Sequence, residues 1–186
     1  QNDVLTIGQG ELTSALDGLG VTVLTLDSCL MASHEVAEVA SKLGIKRMVA
    51  SQDPEDATGY EYATVLEGLR RAALSGLPLS ADLFADTVAA SVVDTKLSTI
   101  SVARLEKLPA LRQAMSAFVS VANSVGGIRN NPALASAWAS VPRLPASESF
   151  DLAYFAMAVG KAVPHGPVDP RKLDADFFAF SGHKMF

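Results

Sequence analysis

The sequence predicts an α/β fold: an open, mostly parallel β-sheet flanked by helices. Three stretches predict it. Val21–Leu26, VTVLTL, is short, apolar and β-branched and follows Gly20, the pattern of a strand buried on both faces of a parallel sheet. Next, Val36, Val39, Ala40 and Leu43 recur at helical spacing, with Glu35, Glu38 and Lys42 on the opposite face and Gly44 as the stop. Arg47–Ser51, RMVAS, then reads as a second strand. Strand, helix, strand at this spacing is a βαβ unit, so the two strands are expected to be parallel with a right-handed crossover.

The other elements follow in chain order. Leu12, Ala15, Leu16 and Leu19 form the apolar face of a short helix that Gly18 and Gly20 end. Gln52–Gly59, QDPEDATG, is polar and broken by proline and glycine, hence a loop. Helices are predicted over Tyr62–Leu74 and Ala81–Val93, separated by Gly76-Leu77-Pro78, and a strand over Leu97–Val102. A helix over Leu105–Val121 has Pro109 close to its start. Gly126–Pro132 reads as a loop, Ala133–Ala139 as a short helix, Val141–Glu148 as a linker and Phe150–Val159 as a helix. Trp138, with Leu134 and Val141, is expected in the core. Phe177–Phe180 is a strong strand former with no partner in its own fold, expected to join a sheet edge, pack on the body or aggregate.

The 186 residues suffice for one domain with a sizeable core. Hydrophobic residues make up 49% and charged residues 19%, yet no uninterrupted apolar run is long enough for a bilayer, so no membrane partner is expected. A net charge of -5 argues against nucleic acid, since displacing counterions from phosphates needs a basic face. One cysteine allows no internal disulfide. The start, QNDVLTIGQG, lacks the basic and apolar regions of a signal peptide.

That cysteine, Cys29, lies where the first strand ends. Free cysteine is commonly a small buried hydrophobe. A thiol between a strand end and a helix start can instead be held as thiolate by the helix dipole and by backbone amides that also suit an oxyanion. In open α/β sheets ligands bind beyond the carboxyl ends of the strands, which places Asp27-Ser28-Cys29 and the Gln52–Gly59 loop at one pocket. Asp27 there would select a basic side chain, because an unpaired buried carboxylate is costly. Asp53, Glu55 and Asp56 read as solvated carboxylates, or as ligands for a basic substrate or a calcium ion, and His34 as solvent-facing.

Asp27-Ser28-Cys29-Leu30-Met31, then Glu35-Val36-Ala37, then Val49-Ala50-Ser51-Gln52-Asp53, with Gly59-Tyr60 beyond, resembles the clostripain-like cysteine peptidases. The resemblance runs over about residues 1–160 and implies a partial caspase-like fold. It implies that Cys29 is the nucleophile, that Asp27, Ser51 and Asp53 bind substrate, and that a peptide or protein is cleaved after arginine or lysine. It also implies a secreted or periplasmic setting and allows a calcium ion; otherwise no cofactor is expected. In that family the catalytic histidine comes from a His-Gly motif upstream of the cysteine, and no histidine precedes Cys29 here. The base would then belong to an associated N-terminal chain.

The segment 161–186, ending Phe177-Phe178-Ala179-Phe180-Ser181-Gly182-His183-Lys184-Met185, resembles a different family: the cofactor-lysine segment of class V aminotransferases and cysteine desulfurases. That resemblance implies a pyridoxal phosphate Schiff base on Lys184, with Ser181 and His183 near the phosphate. The acidic partner of the pyridinium is replaced by Ala158. The alternatives to a peptidase are thus a fragment of a pyridoxal-phosphate enzyme, or a non-catalytic domain that keeps the peptidase fold.

Overall fold

A computed structural model describes residues 10–55, 59–92, 99–144, 150–162 and 179–180. The chain divides into two compact units, Gln1–Glu106 and Lys107–Phe186.

The first unit begins with α1 (Glu11–Leu16), β1 (Val23–Leu26), α2 (His34–Lys42) and β2 (Arg47–Ser51). It continues with α3 (Tyr62–Leu74), α4 (Ala81–Val92) and β3 (Ile100–Arg104). β1 and β2 pair in parallel, Val23 opposite Arg47 through Leu26 opposite Ala50, as the βαβ pattern requires. β3 joins antiparallel on the other side of β2, so the sheet is mixed, in the order β1-β2-β3.

β2 is the central strand, and Met48, Val49, Ala50 and Ser51 are all buried. β1 lies at the edge of the described sheet, and of its residues only Leu24 is buried. The expectation that VTVLTL is buried on both faces is thereby corrected: composition marks a strand as apolar, and strand order decides how much of it is covered.

Helix α2 starts where Ser33 accepts a hydrogen bond from the Val36 N–H, and Val36, Ala37 and Ala40 face the interior. Helices α3 and α4 approach so closely at Gly68 that a β-carbon there would lie 2.6 Å from the Thr87 methyl. Their inner faces, Val65 with Ala85 and Val88, close over Val49 and Tyr60. Arg47 ties β2 to the start of α4 and to the end of the unit through ion pairs with Asp82 and Glu106, which hold its pKa above the usual value.

The second unit holds α5 (Leu108–Ser124), α6 (Gly127–Asn130), α7 (Pro132–Ser140), β4 (Phe150–Asp151), α8 (Leu152–Ala162) and β5 (Ala179–Phe180). Leu105–Lys107 is a 3₁₀ turn, so the helix expected from Leu105 begins at Leu108, with Pro109 in its first turn. The expected loop 126–132 contains the single turn α6, and Asn131 caps α7 by accepting from Ala133 and Leu134 N–H. Phe150 opens a short strand rather than a helix: it pairs with Phe180, as Asp151 does with Ala179. Ala179–Phe180 therefore finds the partner that the sequence did not reveal. The core is aromatic, with the Trp138 and Phe150 ring centroids 4.8 Å apart, Phe155 edge-on to both, and Leu134 and Val141 buried beside them. No helix among the described residues is long and apolar enough to cross a membrane.

Candidate active site

The site is built at the carboxyl ends of β1 and β2, and its centre is a stitched pair of loops. Ser51, the last residue of β2, is fully buried, and its carbonyl accepts from the Ala32 N–H at 2.8 Å. Its hydroxyl donates to the Asp53 carbonyl at 3.0 Å, accepts from the Asp53 N–H at 3.3 Å, and meets the Thr99 hydroxyl at 3.3 Å. The Leu30 N–H donates to the Asp53 carbonyl. Ser51 thus ties both loops together through its carbonyl and its hydroxyl.

Cys29 is exposed, which removes the reading of it as a packed hydrophobe. Its Sγ accepts a hydrogen bond from the Glu55 N–H at 3.3 Å. The amide donor expected from the following helix comes instead from the loop after β2, because α2 opens only at His34 and has its own cap in Ser33. Leu30, next to the nucleophile candidate, takes a left-handed conformation at φ 62.

The carboxylate of Asp27 is half-buried and held from one side. Its Oδ2 accepts from the Tyr60 N–H at 3.0 Å and from the Tyr62 hydroxyl at 2.8 Å. Tyr60 is buried and donates its own hydroxyl to the Leu26 carbonyl. Burial, then the negative charges of Glu55 and Asp27, raise the Tyr60 phenol's pKa well above the ordinary value; the hydrogen bond to Asp27 raises that of Tyr62. Asp53 Oδ1 and Glu55 Oε1 are buried and accept no hydrogen bond from a described residue. Three carboxylates therefore belong to the elements around Cys29, while Asp56 lies outside the described residues.

His34 is not solvent-facing as expected. Its side chain is only 16% exposed, and Nε2 lies 3.5 Å from Glu38 on the same helix. Among the described residues no group of three or more histidine, cysteine or acidic side chains gathers to hold a metal ion. Ser181, His183 and Lys184 lie outside the described residues. Ala158, at the place of the pyridinium's acidic partner, packs on the aromatic cluster.

Tyr60, Tyr62, Thr99 and the Glu55 N–H were not nominated for the site by the sequence. The one local signal was Gly59-Tyr60 at the end of a polar loop.

Solved structures that share the fold include two cysteine peptidases. A clostripain from Bacteroides thetaiotaomicron, in complex with a peptide inhibitor, is 18% identical with a TM-score of 0.54, covering 84% of this chain and 64% of its own. A B. fragilis cysteine protease is 19% identical with a TM-score of 0.62, covering 95% of this chain and 73% of its own. This chain thus spans less than two thirds of the first. A cysteine desulfurase from Haloferax volcanii is 50% identical over 46 residues, 22% of this chain and 11% of that protein. The class V aminotransferase model correspondingly matches residues 141–186. The model of the Clostripain family matches residues 1–151, most of the chain, and shows that this chain belongs to the clostripain family.

Proposed function

We propose that the domain is the cysteine-bearing part of an endopeptidase that cleaves after arginine or lysine, with the general base supplied by an associated N-terminal chain. The observation that carries this reading is the exposed Cys29 thiol beside a loop on which buried carboxylate oxygens of Asp53 and Glu55 accept no hydrogen bond from a described residue. A buried carboxylate oxygen without a donor is costly, and a guanidinium or ammonium supplies both the charge and the N–H.

In the reaction, the Cys29 thiolate adds to the carbonyl carbon of the basic residue, and backbone N–H groups hold the oxyanion. The C–N bond breaks as the amine takes a proton from the protonated base. Water, deprotonated by the same base, adds to the thioester; the C–S bond breaks, releasing the acid product and the thiolate. The three histidines of this chain, His34, His165 and His183, all follow Cys29, and His34 is turned toward Glu38.

The test is alkylation of Cys29 by a peptidyl chloromethylketone ending in arginine, against its norleucine counterpart. The arginine reagent is expected to react faster by at least about tenfold, roughly 1.4 kcal/mol of recognition. Equal rates would leave an exposed thiol with no basic subsite. Alone, the chain should scarcely hydrolyse an arginyl amide. Co-expression with a histidine-bearing N-terminal chain should restore hydrolysis that Cys29→Ala abolishes; no gain would remove the two-chain reading.

A further inference from the structure

Asp27 is gripped by neutral donors. Both of its hydrogen bonds with described residues go to Oδ2, and both donors, the Tyr60 N–H and the Tyr62 hydroxyl, are neutral. An arginine or lysine partner would have neutralised the carboxylate, whereas neutral donors fix its rotation and leave the net charge for a ligand. Oδ1 accepts no hydrogen bond from a described residue.

The grip itself is rigid on the Tyr60 side. That ring is buried in the core of the unit and its hydroxyl is bound to the Leu26 carbonyl, so the N–H aimed at Asp27 is anchored from both ends. Gly59 lets the backbone come this close: its φ is +70, and a β-carbon there would stand 2.6 Å from Oδ2. Tyr62 is different. It is the first residue of α3, it is 57% exposed, and its hydroxyl is bound to Asp27. A large aromatic side chain left mostly in water contributes little by burial, so its hydroxyl is the part that the site uses.

We propose that Tyr62 is a positioning residue for substrate recognition: its hydroxyl, with the Tyr60 N–H, fixes Asp27 through Oδ2 so that Oδ1 receives the basic side chain of the substrate. This rests on the proposed cleavage after arginine or lysine, with Asp27, as expected from the sequence, joining Asp53 and Glu55 in receiving the basic side chain.

Tyr62→Phe removes the hydroxyl and keeps the ring. The readout is the ratio of Cys29 alkylation rates with the arginine and norleucine chloromethylketones, each normalised to alkylation by iodoacetamide, which senses the thiol but not the subsite. The ratio is expected to fall about five- to tenfold, the scale of one hydrogen bond to a charged group. The double variant Asp27→Asn/Tyr62→Phe should fall no further than Asp27→Asn alone. The phenol titration of Tyr62, read by difference against Tyr62→Phe, should move down toward the ordinary tyrosine value in Asp27→Asn. If Asp27→Asn abolishes the ratio but Tyr62→Phe leaves it intact, Tyr62 merely tethers α3 and the proposal falls while the reading of Asp27 stands. If Asp27→Asn itself leaves the ratio intact, the reading fails and the proposal with it. Further loss in the double variant would also overturn it, since Tyr62 would then act on something other than Asp27.

Discussion

Gly59 and Leu30 both occupy the left-handed region beside the site, for different reasons. At Gly59 the conformation is free of steric cost, and the missing β-carbon is what admits Oδ2 of Asp27. Gly59→Ala adds both a backbone penalty and a contact of 2.6 Å, so it should destabilise the chain by about 1–3 kcal/mol. Urea denaturation would register this as a lower midpoint, and an unchanged midpoint would mean that the turn relaxes away from Asp27. Leu30 has no such freedom and meets a steric cost of about 1–2 kcal/mol. Its N–H bond to the Asp53 carbonyl helps hold it there. Neither requirement is visible in a list of residue types. A glycine ending a polar loop signals a turn, but not what lies against it.

At the scale of elements, the site is a join between the ends of β1 and β2 and the start of β3, and Ser51 is the join. Its backbone and hydroxyl reach Ala32, Asp53 and Thr99. Ser51→Ala removes the hydroxyl that bonds Asp53 and Thr99, at a cost of about 0.5–1.5 kcal/mol. Faster amide exchange at Leu30 and Ala32 is the expected signature; protection equal to that of the parent would show that the loops are held by other contacts. The elements themselves were largely legible. Arg47–Ser51 and Tyr62–Leu74 occur with the bounds that their patterns predict, because a period of two or of 3.6 is a local property. What pattern could not give was strand order, so β1, as apolar in sequence as β2, lies at the edge of the described sheet.

At the scale of the whole molecule there are two units, and one buried carboxylate gives the second its own pH dependence. Asp151 caps α8 by accepting from the Tyr154 N–H at 2.9 Å, while its Oδ2 is buried and has no hydrogen-bond partner among the described residues. Burial raises its pKa, so the folded state binds the proton more tightly than the unfolded state does. That contribution is fully present below the unfolded carboxyl value of about 3.9 and is lost as pH rises through the raised folded value, leaving neutral pH with a penalty. Asp151→Asn keeps the cap and removes the charge. It should therefore stabilise the Lys107–Phe186 unit at pH 7, with the gain vanishing near about pH 3, as read by hydrogen exchange within that unit. A gain of equal size at both pH values would contradict the assignment.

The sequence by itself determined the helices and strands with strong periodicity, the βαβ unit, and the position of Cys29 at the end of its first strand. These rest on spacing between near neighbours in the chain. Tertiary structure alone decided that Tyr62 and the Tyr60 N–H hold Asp27, that the Glu55 N–H meets the thiol, and that Ser51 joins three segments. Those partners lie far apart along the chain, and only the pairing of strands and the packing of α3 bring their donors and acceptors within bonding distance.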